Sequence, residues 1–196
     1  MKTFEIEAKM RVTDRAAMER LLEERGAAAV ARLTETNTFF DTAEGRLKST
    51  DQGLRVRVEQ DLDNGRRAII THKGPRAHGK LKSRSETEVV VDDPRKAAEL
   101  LDALGFRPGL SFEKRRSRWK LEGCTIELDE VPYLGHFIEI EGPSDEAVLA
   151  VRDALGLADT PLIKSSYIAM LWTYLREHHI SATHICFADA ETAAAS

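Results

Sequence analysis

The chain has only two cysteines, Cys124 and Cys186, far apart in sequence. That excludes a disulfide framework, and without a CxxC pair it gives no sign of a cysteine zinc site. Long apolar runs are missing as well. Nothing approaches the roughly 18 apolar residues of a membrane span, and the first residues carry no apolar signal core. A basic excess is absent: 29 Lys and Arg face 33 Asp and Glu, for a net charge of -4. Bulk nucleic-acid binding, which shows as a basic excess, is therefore not expected. There is no Gly-rich phosphate loop, no internal repeat and no domain-sized linker. The expectation is a cytoplasmic protein with no membrane span, one domain over 1–178 and a disordered tail over 179–196, where the composition turns small and polar.

What the chain has is charge, in alternation. Charged residues make up 32% of the sequence, above the usual quarter, and many fall at every second position. Strand side chains alternate faces. In Glu5–Arg11, Glu5, Glu7 and Lys9 therefore share one face, with Ile6 and Ala8 on the other. Leu54–Glu59 repeats the pattern, with Arg55, Arg57 and Glu59 against Leu54, Val56 and Val58. Lys82–Val91 places Arg84, Glu86 and Glu88 together, and Phe112–Leu121 does the same for Lys114, Arg116, Arg118 and Lys120. Thr125–Val131 pairs Glu127 with Asp129, and Phe137–Glu141 pairs Glu139 with Glu141. Glu35–Asp41 and Arg67–Lys73 complete about eight expected strands, with a turn at Asp63-Asn64-Gly65 and a basic loop over Gly74–Gly79. Gly45–Gly53 reads as a polar connection.

Helices are expected over Ala16–Arg25 behind an Asp14 cap, over Pro94–Leu104, from Ser144 to about Leu155, and over Ser165–Arg176. Trp172 and Tyr174 on the last of these fit a core or helix-packing role. Helices need an apolar surface to cover, so they would sit on the apolar strand faces. The charged faces would then turn toward one another. Eight strands close into a barrel wide enough for side chains or one small ligand. The expected fold is α+β: an eight-stranded, mainly antiparallel closed β-barrel with a charged lumen and helices packed outside.

Charges removed from water are costly unless paired. A lumen holding a polyanion and divalent cations satisfies both signs at once. The basic set suits phosphate oxygens, which Arg meets bidentately and Lys as a point charge. The acidic set suits Mg²⁺ or Mn²⁺, hard cations that bridge carboxylate and phosphate oxygens. Mixed signs favour an enzyme over a module that only binds polyphosphate or nucleotide, since pure polyanion binding needs no carboxylate cluster.

Glu5-Ile-Glu7-Ala-Lys9 resembles the ExExK signature of the CYTH superfamily, the triphosphate tunnel metalloenzymes. Seven further segments resemble the same family, in order: Leu54-Arg55-Val-Arg57, His72-Lys73-Gly74-Pro75, Arg84-Ser-Glu86-Thr-Glu88, Glu113-Lys114-Arg-Arg116, Ile126-Glu-Leu-Asp129, Phe137-Ile-Glu139-Ile-Glu141 and Lys164-Ser-Ser-Tyr167. The likeness runs over about residues 1 to 175 and is strongest to the class IV adenylyl cyclase branch. It implies metal ligation by Glu5, Glu7, Glu139 and Glu141, with Asp129 and Glu86 as further candidates. It implies a triphosphate grip by Lys9, Arg55, Arg57, Lys73, Arg84, Lys114 and Arg116, with Lys164 closing one end. The catalytic set it implies is Glu5, Glu7, Lys9, Asp129 and Glu139. The implied cofactor is Mg²⁺ or Mn²⁺. The implied partner is a nucleoside triphosphate or another triphosphate, with no nucleic acid, no membrane, and homodimer formation left open. The implied reaction converts ATP to cyclic AMP and pyrophosphate; the alternative is hydrolysis of tripolyphosphate, thiamine triphosphate or a nucleoside triphosphate.

Overall fold

The structure, a computed structural model, describes residues 3–61, 65–77 and 79–194. Asp63 and Asn64 of the expected turn, and His78 of the basic loop, lie outside these residues. Eight strands form the barrel: β1 (Thr3–Arg11), β2 (Ala28–Asp41), β3 (Gly53–Asp61), β4 (Gly65–Ala77), β5 (Lys82–Val91), β6 (Arg107–Leu121), β7 (Cys124–Val131) and β8 (Gly135–Glu141). They pair in the order β2-β3-β4-β5-β1-β8-β7-β6, and β2 pairs with β6 to close the ring. Every pairing in the ring is antiparallel. Closure removes the sheet's open edges. A two-residue strand, β9 (His184–Ile185), adds in parallel to β6 at Ser111 and Phe112, on the stretch that β7 leaves uncovered.

The helices start where their caps allow. Asp14 accepts from the Ala17 N–H at the head of α1 (Arg15–Glu24). Gly45 precedes the short α2 (Arg46–Ser49). Asp93 caps α3 (Pro94–Ala103), with Pro94 in the first turn where its missing N–H costs nothing. Ser144 caps α4 (Asp145–Ala154), and Ser166 caps α5 (Tyr167–Glu177). A last helix, α6, covers Phe187–Ala194.

Packing follows the alternation. Ala8 and Met10 of β1, Trp119 of β6, Ile126 and Leu128 of β7, and Ile138 and Ile140 of β8 form the main core. Leu22 of α1 and Val148 and Val151 of α4 join them. This core lies outside the barrel, as the helix count demanded. A smaller cluster sets Leu101 of α3 against Phe40, Leu54 and Val56. Gly142 follows β8 at a tight approach: a Cβ there would meet Cys124 Sγ at 2.7 Å and Val148 Cγ2 at 2.9 Å.

The third cluster plugs one end of the barrel. Phe112, Val131 and Phe137 sit two residues from Lys114, Asp129 and Glu139, so they occupy lumen-face positions. There the lining turns from charged to apolar, and Tyr167, Leu171 and Leu175 of α5 pack onto it with Leu110 and Ile185.

Four expectations need correction. β2 starts at Ala28 rather than Glu35, because its Ala-rich first half pairs with Arg116–Lys120 of β6; pairing overrides the weak strand propensity of Ala. The 45–53 connection contains α2, whose Leu47 and Lys48 N–H groups donate to the Asp41 carboxylate at 2.8 and 3.0 Å. Much of the 74–79 loop is strand: β4 runs to Ala77 through an irregularity between Lys73 and Arg76. The 179–194 segment is ordered by β9 and α6. Ile185 is buried, the Phe187 N–H donates to Glu113 at 3.1 Å, and the Arg115 guanidinium lies 3.8 Å from the Phe187 ring centre. No helix among the described residues is long and apolar enough to cross a membrane.

Candidate active site: the charged lumen

β1 lies between β5 and β8, and register brings the expected charges side by side. Glu5 faces Arg84 and Glu7 faces Lys82 across one seam; Glu7 faces Glu141 and Lys9 faces Glu139 across the other. Together with the charged faces of β3 to β7 they line one cavity of about 1060 Å³. Of the expected site residues, Glu5, Glu7, Lys9, Arg55, Arg57, Lys73, Arg84, Glu86, Lys114, Arg116, Glu139, Glu141 and Lys164 all line it. Lys164 stands exposed just before α5. Asp129 is fully buried beside the lining, reached by Arg116 and Lys114.

The deepest group is dominated by Arg116. Its Nε and Nη2 donate to the two Asp129 oxygens, both at 2.6 Å, and Nη2 also donates to Glu139 at 2.7 Å. It pairs with Glu127 as well. Lys114 Nζ lies 3.2 Å from both Asp129 and Glu35. Lys9 Nζ is 3.0 Å from Glu139, donates to the Ser165 carbonyl at 3.3 Å, and sits 4.0 Å from the Tyr167 ring centre. Burial opposes ionisation of Glu139, but Lys9, Arg116 and Lys114 outweigh it and hold the carboxyl well below its usual range. Burial also opposes the charge on Arg116, and Asp129, Glu127 and Glu35 more than offset it.

A second group is short of positive charge. Glu5, Glu7 and Glu141 all titrate above the ordinary carboxylate range. Burial is the first cause for each; Glu86 adds to it at Glu5, and Glu139 at Glu7. Glu141 is pushed up to about 7, by desolvation and then by Glu5, Glu127, Glu7 and Glu86. Lys82 reaches Glu7 at 2.6 Å, and Lys73 reaches Glu5 at 3.3 Å while pairing with Glu86. Lys9, 3.9 Å from Glu7, is shared with Glu139, and Glu141 has no ion pair among the described residues.

A third group is short of negative charge. Burial, then the neighbouring Arg57, pushes the Arg55 guanidinium down from its ordinary value. Arg55 Nη1 donates to Asn37 at 3.2 Å, but Arg55 Nε and Arg84 Nε are buried and have no hydrogen-bond partner among the described residues. Arg84 Nη2 donates to the Asp51 carbonyl at 2.8 Å. At the cavity edge Arg76 clamps Asp51, with Nε at 3.0 and 2.9 Å from its two oxygens, so the expected basic loop is anchored at this point.

Three residues escaped the sequence reading. Glu35 is fully buried and pairs with Lys114; Asn37 bridges Glu35 and Arg55. The signal was the Glu35-Thr-Asn37-Thr alternation in a strand otherwise rich in Thr and Phe. Tyr167, expected only as part of a helix start, is buried against two lumen lysines. Trp172, expected in a core or helix-packing role, is instead 47% exposed and lines the cavity. The reason is helical spacing: Tyr167, Leu171 and Leu175 take the plug face, which leaves position 172 to the neighbouring face.

The chain is thus a closed barrel with helices outside and a lumen of paired acids and bases. A family model for the CYTH domain matches residues 3–167. The chain belongs to the CYTH family. Among curated proteins it is 26% identical over 176 residues to a Methanocaldococcus jannaschii protein named "Putative adenylate cyclase MJ0240", covering 85% of this chain and 98% of that one. It is 30% identical over 142 residues to adenylate cyclase CyaB of Aeromonas hydrophila, covering 68% and 70%. The solved structure of the PH1819 protein of Pyrococcus horikoshii superposes with a TM-score of 0.76 at 30% identity, over 87% of this chain and 99% of that one.

Proposed function

We propose that the lumen holds the triphosphate of a substrate beside a divalent cation, and that the chain is a cytoplasmic, Mg²⁺- or Mn²⁺-dependent adenylate cyclase. Its catalytic domain spans residues 1–178. The observation that carries this reading is the separation of unbalanced charge. Glu5, Glu7 and Glu141 are pushed up by burial first and then by neighbouring carboxylates. Arg55 is pushed down, and the Arg55 and Arg84 Nε donors have no acceptor among the described residues. A buried donor left unsatisfied costs about 1–3 kcal/mol, more when charged. A phosphate chain and a divalent cation relieve both shortages in one cavity. The names of the two curated relatives agree with cyclase chemistry.

The donor set fits Mg²⁺ or Mn²⁺, since it offers hard carboxylate oxygens and no His or Cys. Among the described residues no three acidic groups already converge as a ready metal cage. The acids are held apart by Lys73, Lys82 and Lys9. Binding is therefore an exchange. Phosphate oxygens take over the ammoniums, and the carboxylates of Glu5, Glu7, Glu139 and Glu141 would hold the cation. Glu86 stays with Lys73, and Asp129 keeps Arg116 and Lys114 aimed into the lumen rather than ligating. A bound cation supplies charge neutralisation on the phosphate oxygens and on the attacking oxygen.

Arg55, Arg57, Lys73, Arg84, Lys114 and Arg116 then grip the phosphates and stabilise the charge that develops on the leaving group. Lys9, held by the Ser165 carbonyl and the Tyr167 ring, presents its ammonium from the plug side. In the cyclase reaction the ribose 3′-oxygen bonds to the α-phosphorus, loses its proton, and displaces pyrophosphate. Hydrolysis is the second reading, because the charged lumen side chains suit a phosphate chain whether or not it carries a base. In it water bonds to the terminal phosphorus, the bridging P–O bond breaks, the diphosphate end of the chain leaves, and the attacked group is released as orthophosphate. Incubation with ATP, thiamine triphosphate and tripolyphosphate, with and without Mg²⁺ or Mn²⁺, separates the two when products are resolved. Cyclic AMP with pyrophosphate is the expected result. Free phosphate would replace the cyclase reading by the hydrolase, and binding without turnover would defeat both.

A further inference from the structure

The lumen accounts for phosphate and cation, but not for Trp172. This residue is 47% exposed on α5 and lines the same cavity as the lumen charges. Ile168 lies one helical turn before it on the same face, also lining the cavity, and Phe39, Leu47 and Pro108 contribute further apolar lining. A large indole left in water beside a charged tunnel contributes nothing to the core. Tyr167, Leu171 and Leu175 already fill the plug. The cavity, about 1060 Å³, lies at the top of the roughly 300–1,000 Å³ that enclose drug-sized ligands. Three linked phosphates alone are far smaller.

We infer that Trp172 forms a stacking platform for a planar aromatic ring carried on the triphosphate, which makes it the residue that selects organic triphosphates over inorganic tripolyphosphate. The inference rests on the triphosphate reading of the lumen and adds the substrate class to it. Aromatic stacking tolerates many rings, because each presents a π face. The ring could belong to a nucleobase or to the pyrimidine of thiamine; the shared chemistry is a flat heterocycle tethered to phosphate. Lys164, exposed and lining the cavity just before α5, supplies a cation on the phosphate side of such a ligand.

The test titrates tripolyphosphate, ATP and thiamine triphosphate, each with Mg²⁺, into wild-type, Trp172→Ala and Trp172→Phe protein. Binding is followed by calorimetry and by intrinsic fluorescence. Trp119 is buried in the outer core, so quenching by a stacked ring reports Trp172. The expected result is about a 10-fold weaker affinity of Trp172→Ala for at least one organic triphosphate, near-wild-type affinity of Trp172→Phe, and unchanged tripolyphosphate binding. Quenching should follow the organic ligand and not tripolyphosphate. Whichever of ATP or thiamine triphosphate shows the loss identifies the source of the ring. Equal losses for all three ligands would overturn the inference and leave Trp172 a structural residue. Unchanged affinities with a changed oligomeric state would also overturn it, assigning Trp172 to a contact between copies. If wild-type protein binds none of the three, the tunnel reading itself falls, and this inference with it.

Discussion

Asp129→Asn separates two roles that the sequence alone leaves merged. As a metal ligand, Asp129 would set cation affinity. As the structure arranges it, Asp129 is fully buried and accepts two bonds from Arg116 at 2.6 Å and one from Lys114 at 3.2 Å. An Asn keeps the shape, but one of its two terminal atoms becomes a donor facing Arg116. Breaking a buried ion pair costs about 3–5 kcal/mol, because a charge is left uncompensated. Here the cost should fall near about 3 kcal/mol, since Arg116 keeps Glu139 and Glu127, and Lys114 keeps Glu35. For a chain of this size that corresponds to a Tm lower by roughly 6–12 °C. Tripolyphosphate, which can take up the freed cations, should raise the Tm of the variant more than that of wild type. Mn²⁺ affinity measured by calorimetry should change little. A wild-type Tm would refute the buried-pair geometry. A Tm near wild type with a collapse of Mn²⁺ affinity would restore Asp129 as a ligand.

The other predictions are simpler. Arg57→Ala should weaken tripolyphosphate binding about 10-fold or more by calorimetry; an unchanged affinity would remove Arg57 from the phosphate grip. Glu5, Glu7 and Glu141 have folded pKa values above their unfolded ones, so the unfolded chain releases their protons first and stability falls as pH rises. The metal-free Tm should therefore drop between about pH 4.5 and 7, and Mg²⁺ or Mn²⁺ should recover more of it at pH 8 than at pH 5; a metal-induced shift independent of pH would contradict the acid-rich site. Glu7→Ala and Glu139→Ala should each abolish metal-dependent turnover while circular dichroism stays native, and activity in both would remove the metal assignment. Gly142→Ala should lower stability by about 1–3 kcal/mol in urea titration, because its Cβ would press on Cys124 and Val148; no loss would mean the neighbours yield freely.

Period-two alternation made the barrel legible. Once Glu5, Glu7 and Lys9 share a face and helices must cover the other, a charged lumen follows, and the register of β1 between β5 and β8 bears this out. Where a segment lacked that contrast, the reading fell short. The Ala-rich start of β2 looks like neither strand nor loop until β6 pairs with it. Glu35 and Asn37 were hidden because two polar residues among Thr and Phe look like any wet strand face. Trp172 was misplaced because apolar character on a helix says that a residue can be buried, not that it is; only the packing of Tyr167, Leu171 and Leu175 decides which face remains outside. Which carboxylates stay paired with bases and which lack a cation is a property of three-dimensional charge balance, and no spacing rule carries it.

The most direct test of the central claim is a crystal of the protein grown with Mn²⁺ and tripolyphosphate, examined by anomalous scattering at the manganese edge. The account predicts a manganese peak inside the barrel, at ligand distance from carboxylates of Glu5, Glu7, Glu139 or Glu141, with the phosphate chain against Arg55, Arg57 and Lys114. Manganese and phosphate found only outside the lumen, with Lys82 still on Glu7 and Lys73 still on Glu5, would contradict it.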